Sequence, residues 1–175
     1  MQRMRLTTIL AAFIGLAGVV ACGGAATPPD HPSLPVSSAP SPSAAQCVDG
    51  YIRDVFNRGD IAATDRYFDE RAVDHAPWPG HPATRAGFKA GLTELRRAFP
   101  DLEVTVQRKL IDGDLVAVHM TIRGTHRGAF MGAPPTGKRI EIEAIDIVRI
   151  AGGKVAEHWG VLDEAKMGQQ LGLTP

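Results

Sequence analysis

From residue 46 to residue 57 the apolar side chains Val48, Tyr51, Ile52, Val55 and Phe56 recur at spacings of three and four, which predicts an amphipathic helix. Arg58-Gly59-Asp60 ends it, and Asp60 can cap a second short helix running to Phe68. Pro77, Pro79, Gly80 and Pro82 then interrupt any regular element. Residues 84–99 read as a third helix, with Phe88, Leu92, Leu95 and Phe99 on one stripe and Pro100-Asp101 as its stop. Beyond this point the period shortens to two. Leu102, Val104 and Val106 alternate with polar residues, and Asp112-Gly113-Asp114 marks a hairpin. Residues 115–125 form a long strand with Val116, Val118, Met120 and Ile122 on one face. A loop over 128–137 leads to a second long strand, 139–150, and Gly152-Gly153 turns the chain into a third, 154–162. Residues 163–171 read as a short closing helix. Three helices followed by an antiparallel sheet define an α+β domain over 45–175.

The start of the chain follows a different pattern. Arg3 and Arg5 precede an apolar run of 15 residues, Leu6 to Val20, short of the roughly 20 that a membrane-spanning helix needs. This is the layout of a secretory signal over residues 1–21. Val19-Val20-Ala21-Cys22 resembles the bacterial lipobox, which implies lipidation of Cys22 and a membrane anchor outside the cytoplasm; an ordinary signal peptide or a short anchor helix is the plainer alternative. Residues 22–44 are rich in Pro, Ser and Ala with almost no large apolar side chains. Such a stretch cannot bury enough surface to offset its ordering entropy, so it is expected to be a disordered tether.

Composition narrows the function classes. The 175-residue chain carries 19 basic and 19 acidic side chains, a balance that argues against a nucleic-acid binder. Its two cysteines, Cys22 and Cys47, cannot make a disulfide framework or a multi-cysteine zinc site. No histidine pair has helical metal spacing, and no glycine-rich loop joins a strand to a helix. Neither a metal nor a nucleotide cofactor is expected.

The candidate chemistry lies on the last two strands. One face of strand 139–150 reads Ile140, Ile142, Ala144, Asp146, Val148, Ile150, so a carboxylate interrupts an otherwise apolar face. A buried charge is costly unless paired, so Asp146 must have a partner, line a cavity or hold a proton. On strand 154–162, Ala156, His158, Gly160 and Leu162 share a face. A three-residue turn would set Asp146 directly opposite His158, either as an acid–base pair in an apolar setting or as a structural ion pair or hydrogen-bonded core histidine. A two-residue turn would oppose Asp146 to Trp159 instead. His75, in Val-Asp-His-Ala-Pro-Trp, and the strand residue His119 are weaker candidates to rim a ligand pocket, and Trp78, Phe130 and Met131 are candidates to wall it. His126, near the end of the first long strand, is a further weak candidate for which a surface or core role is the plainer reading, and Cys47 reads as a packing residue.

Two stretches carry a family resemblance. Gly124-Thr125-His126-Arg127-Gly128 with Gly132-Ala133-Pro134-Pro135-Thr136-Gly137-Lys138, and Arg149-Ile150-Ala151-Gly152-Gly153-Lys154-Val155-Ala156-Glu157-His158-Trp159, look like the signature of the SnoaL-like polyketide cyclases. Ala98-Phe99-Pro100-Asp101-Leu102, Trp159-Gly160-Val161-Leu162-Asp163 and Gln169-Gln170-Leu171-Gly172 are similar to the ester cyclase branch. The resemblance implies a nuclear transport factor two-like cone, a curved antiparallel sheet closed by helices around an apolar cavity, and often a homodimer. It also implies a cofactor-free intramolecular aldol condensation. There an aspartate on the last long strand is the general acid/base, assisted by a histidine on the strand before it. Matched by spacing, the aspartate position is Gly160 and the histidine position is Asp146. Glycine cannot move a proton. The expectation is therefore an inverted arrangement, with Asp146 moving the proton and His158 orienting or sharing it, ahead of Glu143 and Asp163 as lesser acids. The resemblance also favours the three-residue turn.

These readings converge on an acid–base cyclase or isomerase for a small hydrophobic carbonyl compound. The alternative is a non-catalytic extracytoplasmic lipoprotein that binds a small apolar ligand.

Overall fold

The computed structural model describes residues 42–173. The signal, Cys22 and the tether as far as residue 41 lie outside the described residues. Helix α1 (Pro42–Tyr51) begins three residues before the expected domain boundary and widens into a π-helical turn over Ile52–Asn57. The wider turn places Ile52, Asp54, Val55 and Phe56 in the interior. Asp54 gathers Arg53, Arg58 and the Tyr67 hydroxyl, which ties this end of α1 to the next segment. Asp60 accepts the Ala63 N–H and starts a 3-10 turn (Ile61–Ala63) that continues as α2 (Thr64–Tyr67). Helix α3 (Arg85–Ala98) is capped by Thr84, whose hydroxyl accepts the Gly87 N–H, and α4 (Glu164–Leu171) is capped by Asp163.

Strands β2 (Glu103–Asp112), β3 (Leu115–Thr125), β4 (Arg139–Ala151) and β5 (Lys154–Leu162) run antiparallel, as the alternation predicts. A further strand was hidden in the sequence. Phe68–Asp74, of which the sequence reading placed only Phe68, at the end of a helix, is β1, and it pairs parallel with β5 in the order β1-β5-β4-β3-β2. Three consecutive charged residues, Asp69-Glu70-Arg71, and an irregularity in its pairing mask its period of two.

The helices cover one face of the curved sheet. Ile140, Ile142, Ala144, Asp146, Val148 and Ile150 all point into it, together with Val116, Val118, Met120 and Ile122 from β3. The opposite face shows Ile145, Ile147 and Val161 to solvent. Aromatic rings bridge the layers. Tyr51 meets Phe68 edge-on at 5.7 Å, and Phe68 stacks on Phe88 at 4.7 Å. Phe99 stacks on the fully buried His126 and meets Phe130 edge-on. Burial lowers the His126 pKa, and its Nδ1 accepts the Thr136 N–H. Arg127 and Gly128 both donate their N–H to the Ala98 carbonyl at the end of α3. Here glycine is required, since a Cβ at 128 would stand 2.5 Å from the Arg97 carbonyl oxygen. No helix among the described residues is long and apolar enough to cross a membrane.

Candidate active site

The final hairpin follows neither register weighed from sequence. Gly152-Gly153 makes a two-residue turn with Ala151 opposite Lys154 and Ile150 opposite Val155. One extra residue, Ala156, then enters β5 as a bulge, so that Arg149 faces Glu157 and Val148 faces His158. Asp146 is therefore opposite Gly160, and the three-residue turn with direct Asp146–His158 opposition is corrected. The bulge decides the chemistry of the face. A two-residue turn alone would have turned Trp159 inward, whereas the extra residue restores the parity and brings His158 diagonally beside Asp146. It also explains why Val155, expected on the outer face, is fully buried.

The helices and the inner face of the sheet enclose a cavity of about 270 Å³, walled by Trp78, Phe88, Met120, Phe130, Ile142 and Leu162. Among the described residues, the charged or titratable groups that line it are Asp146, His158 and Glu164 at the start of α4, and no Lys or Arg does. Asp146 and His158 are both nearly inaccessible, at 8% and 6% exposure. The His158 Nε2 lies 3.6 Å from Asp146 Oδ2, a charge contact longer than a hydrogen bond. The Tyr51 hydroxyl donates to the same Oδ2 at 3.1 Å. Asp146 Oδ1 accepts no hydrogen bond from the described side chains, and a Cβ at Gly160 would stand 3.2 Å from it and 3.1 Å from His158 Cε1. The missing side chain of Gly160 thus leaves open the space between the carboxylate and the imidazole.

On its other side His158 donates Nδ1–H to Asp74 Oδ1 at 2.9 Å. Asp74 is buried at the end of β1, level with His158 in the parallel register. The edge of the Phe88 ring holds the imidazole in place at 5.0 Å. Burial by itself disfavours a charged imidazole, but the carboxylates of Asp146 and Asp74 outweigh it and push the His158 pKa up to about 9. Burial and the Asp146 charge raise the Tyr51 phenol well above its ordinary value, so it stays a donor. The result is a buried site in which the acidic side chains of Asp146 and Asp74 flank one imidazole, with one phenol beside them. It can accept a proton at one oxygen and donate a hydrogen bond from a nearby nitrogen.

The remaining candidates divide cleanly. Trp78 and Phe130 wall the cavity and touch each other edge-on. His75 lies instead on the outer side of β5, stacked on Trp159 at 4.4 Å with Nε2 bonded to Glu157. His119 also lies on the outer face, 3.4 Å from Glu143, because its strand parity opposes that of Met120, which takes the cavity place. Met131 occupies a positive-φ position at the tip of a turn with Gly132 and is 55% exposed, while Phe130 turns inward. His75, His119 and Met131 are therefore corrected as pocket residues. Glu143 is on the outer face, and Asp163 is spent as the cap of α4. Tyr51 and Asp74 were missed as site residues. Tyr51 was legible only as a core position. Asp74 needed the unread strand β1. Among the described residues no cluster of His, Cys, Asp or Glu has the makings of a metal site.

A helix-capped curved sheet encloses an apolar cavity lined by the buried side chains of Asp146 and His158. The chain belongs to the SnoaL-like polyketide cyclase family, whose model matches residues 46–171. It is 31% identical to the aklanonic acid methyl ester cyclase DnrD of Streptomyces peucetius over 109 residues, 61% of this chain and 72% of that one. Among solved structures it resembles TsrD from Streptomyces laurentii, with a TM-score of 0.70 and 26% identity over 78% of this chain and all of that one. It also resembles IdmH from Streptomyces antibioticus, described as a candidate polyketide cyclase. That match has a TM-score of 0.65 and 34% identity over 74% of this chain and 98% of the other. DnrD is named as a cyclase and IdmH as a candidate one, consistent with a cyclase type of enzyme, and the α+β cone expected from sequence is the observed fold.

Proposed function

We propose that the protein is a cofactor-independent cyclase or isomerase for a small, uncharged, hydrophobic carbonyl compound, with Asp146 as the proton-transfer group. The observation that carries this reading is the free Oδ1 of Asp146 beside the open space over Gly160, with the His158 Nε2 adjoining. In the forward direction Asp146 takes a proton from the carbon next to a carbonyl. The Nε2–H of His158 donates to the enolate oxygen that forms. The enolate carbon then attacks a second carbonyl of the same molecule, one C–C bond closes, and the new alkoxide takes the proton back from the Asp146 carboxyl. Nothing is oxidised or reduced. Positioned acid–base groups of this kind contribute on the order of 10²–10⁴ in rate.

The lining argues for the substrate class. Asp146 and Glu164 line the cavity, no Lys or Arg among the described residues does, and the His158 imidazole already has an acidic side chain on each side, so a substrate carboxylate would find no unpaired basic group there. The cavity volume is close to the lower end of ordinary ligand pockets, about 300–1,000 Å³. Incubation of the purified protein with an enolisable aromatic keto ester should give a ring-closed or double-bond-shifted product of unchanged mass, and the matching free acid should react at least tenfold more slowly. Tight binding with no change in the compound would favour the second reading, a non-catalytic carrier, which rests on Gly160 standing where the resemblance places the family's aspartate.

We further infer, from the signal-like start and the Val19-Val20-Ala21-Cys22 sequence, that a lipid on Cys22 tethers the domain outside the cytoplasm. Cys22→Ser should move the protein from the membrane fraction to the soluble fraction; unchanged membrane attachment would sink the anchor.

A further inference from the structure

Asp74 belongs to none of the matched motifs, yet it is among the most buried charged side chains described, at 3% exposure. Its Oδ1 accepts both the His158 Nδ1–H at 2.9 Å and the Ala76 N–H at 3.0 Å, while its Oδ2 is buried without a partner. An isolated buried carboxylate is expensive, and no Lys or Arg among the described residues pairs with it. Among the described residues, the basic group within reach of it is the imidazole ring of His158. The backbone reinforces the arrangement, because Asp74 and His158 are level in the parallel β1–β5 pair and the His75 N–H donates to the His158 carbonyl.

We propose that Asp74 is a positioning residue that holds His158 as an imidazolium, its Nδ1–H turned to β1 and its Nε2–H presented to the cavity beside Asp146. This rests on the reading of Asp146 and His158 as the proton-handling pair. Every group packed on the ring fits the assignment. Asp74 faces it from β1 and Asp146 from β4, the Tyr51 hydroxyl of α1 binds Asp146, and Phe88 of α3 contributes an uncharged ring edge. Glu164 of α4 lines the same cavity, and Glu157 and His75 occupy the outer side of β5. Asp74 does not touch the cavity; it acts through the ring. With the tautomer fixed in this way, His158 serves as a permanent donor to a developing enolate oxygen, and Asp146 alone changes its proton count on that side.

The linkage has a definite sign. A histidine whose folded pKa is raised stabilises the fold fully below its ordinary value of 6.5, and this contribution is lost as the pH rises through about 9. The direct test is nitrogen-15 NMR of the His158 ring in the intact protein, titrated with and without Asp74→Asn. In the wild type both ring nitrogens should still carry protons at about pH 8. In Asp74→Asn the midpoint should fall by about one to three pH units. Turnover by the variant should drop at about pH 8 and recover toward the wild-type value near pH 6, where an unassisted histidine is protonated anyway. A purely structural role would give a loss that acid does not repair. An unmoved midpoint, or a loss of the same size at both pH values, would overturn the proposal. Should Asp74→Asn fail to fold, the wild-type spectrum decides, since a neutral ring at about pH 8 contradicts the assignment. The NMR readout needs no turnover, so it separates failure of this inference from failure of the proposed reaction.

Discussion

Asp146→Asn should leave the fold intact and lower turnover by roughly 10²–10⁴-fold, the usual contribution of a positioned acid–base group. Asparagine has nearly the same volume and can still accept the Tyr51 hydroxyl through its amide oxygen, so packing at this point of β4 is preserved. What disappears is the capacity to take a proton at the position of Oδ1. The expected pattern is a collapse of kcat with KM changed little, because the apolar walls that hold the substrate are untouched. Circular dichroism and the unfolding midpoint serve as the control for folding. Retention of more than about a tenth of the wild-type kcat would remove Asp146 from the chemistry and leave the pocket as a binding site.

The largest stability effect is expected at Phe99. This ring is fully buried, stacks on His126 at 5.2 Å and meets Phe130 edge-on at 5.6 Å. It joins the end of α3 to the loop between β3 and β4, and through Phe130 it supports the wall of the cavity. Phe99→Ala removes the transfer energy of a full aromatic ring and leaves a void that neither α3 nor the sheet can fill. The cost should be about 3–5 kcal/mol in denaturant unfolding. Because Phe130 loses its support, the surviving folded protein should also bind ligand more weakly. A loss below about 1 kcal/mol would mean that the neighbouring rings collapse into the space, and that the wall does not depend on Phe99.

How far the sequence reveals the site depends on the element. Strand β4 was legible because its alternation is unbroken from Ile140 to Ile150, and one acidic residue in that series marks itself. Trp78 and Phe130 were legible as large rings near chain breaks. The register of β4 against β5 was not, since alternation fixes which residues share a face only while the period holds. The bulge at Ala156 breaks it, and the trace it leaves is two apolar residues in succession, Val155 and Ala156. The same limit hid Asp74. A short parallel edge strand with three charges in a row and an irregular pairing carries almost no periodic signal, and its partner β5 lies more than 80 residues ahead. His75 and His119 show the converse. Each sits near the site in sequence or strand, but parity sends both to the outer face, where Glu157 and Glu143 take them up. Family membership likewise indicates the fold and the class of chemistry, while the departure at Gly160 can be understood only from the space it opens between Asp146 and His158.

Proton transfer can be isolated from ring closure with an enolisable aromatic ketone that lacks a second carbonyl. Held in heavy water with the protein, such a compound can exchange its α-hydrogen but cannot cyclise, and mass spectrometry counts the deuterium gained. The wild-type protein should speed this exchange by at least about 10²-fold over buffer, and Asp146→Asn should return it close to the buffer rate. Exchange that proceeds equally fast in the two proteins would contradict the assignment of Asp146 as the group that moves the proton.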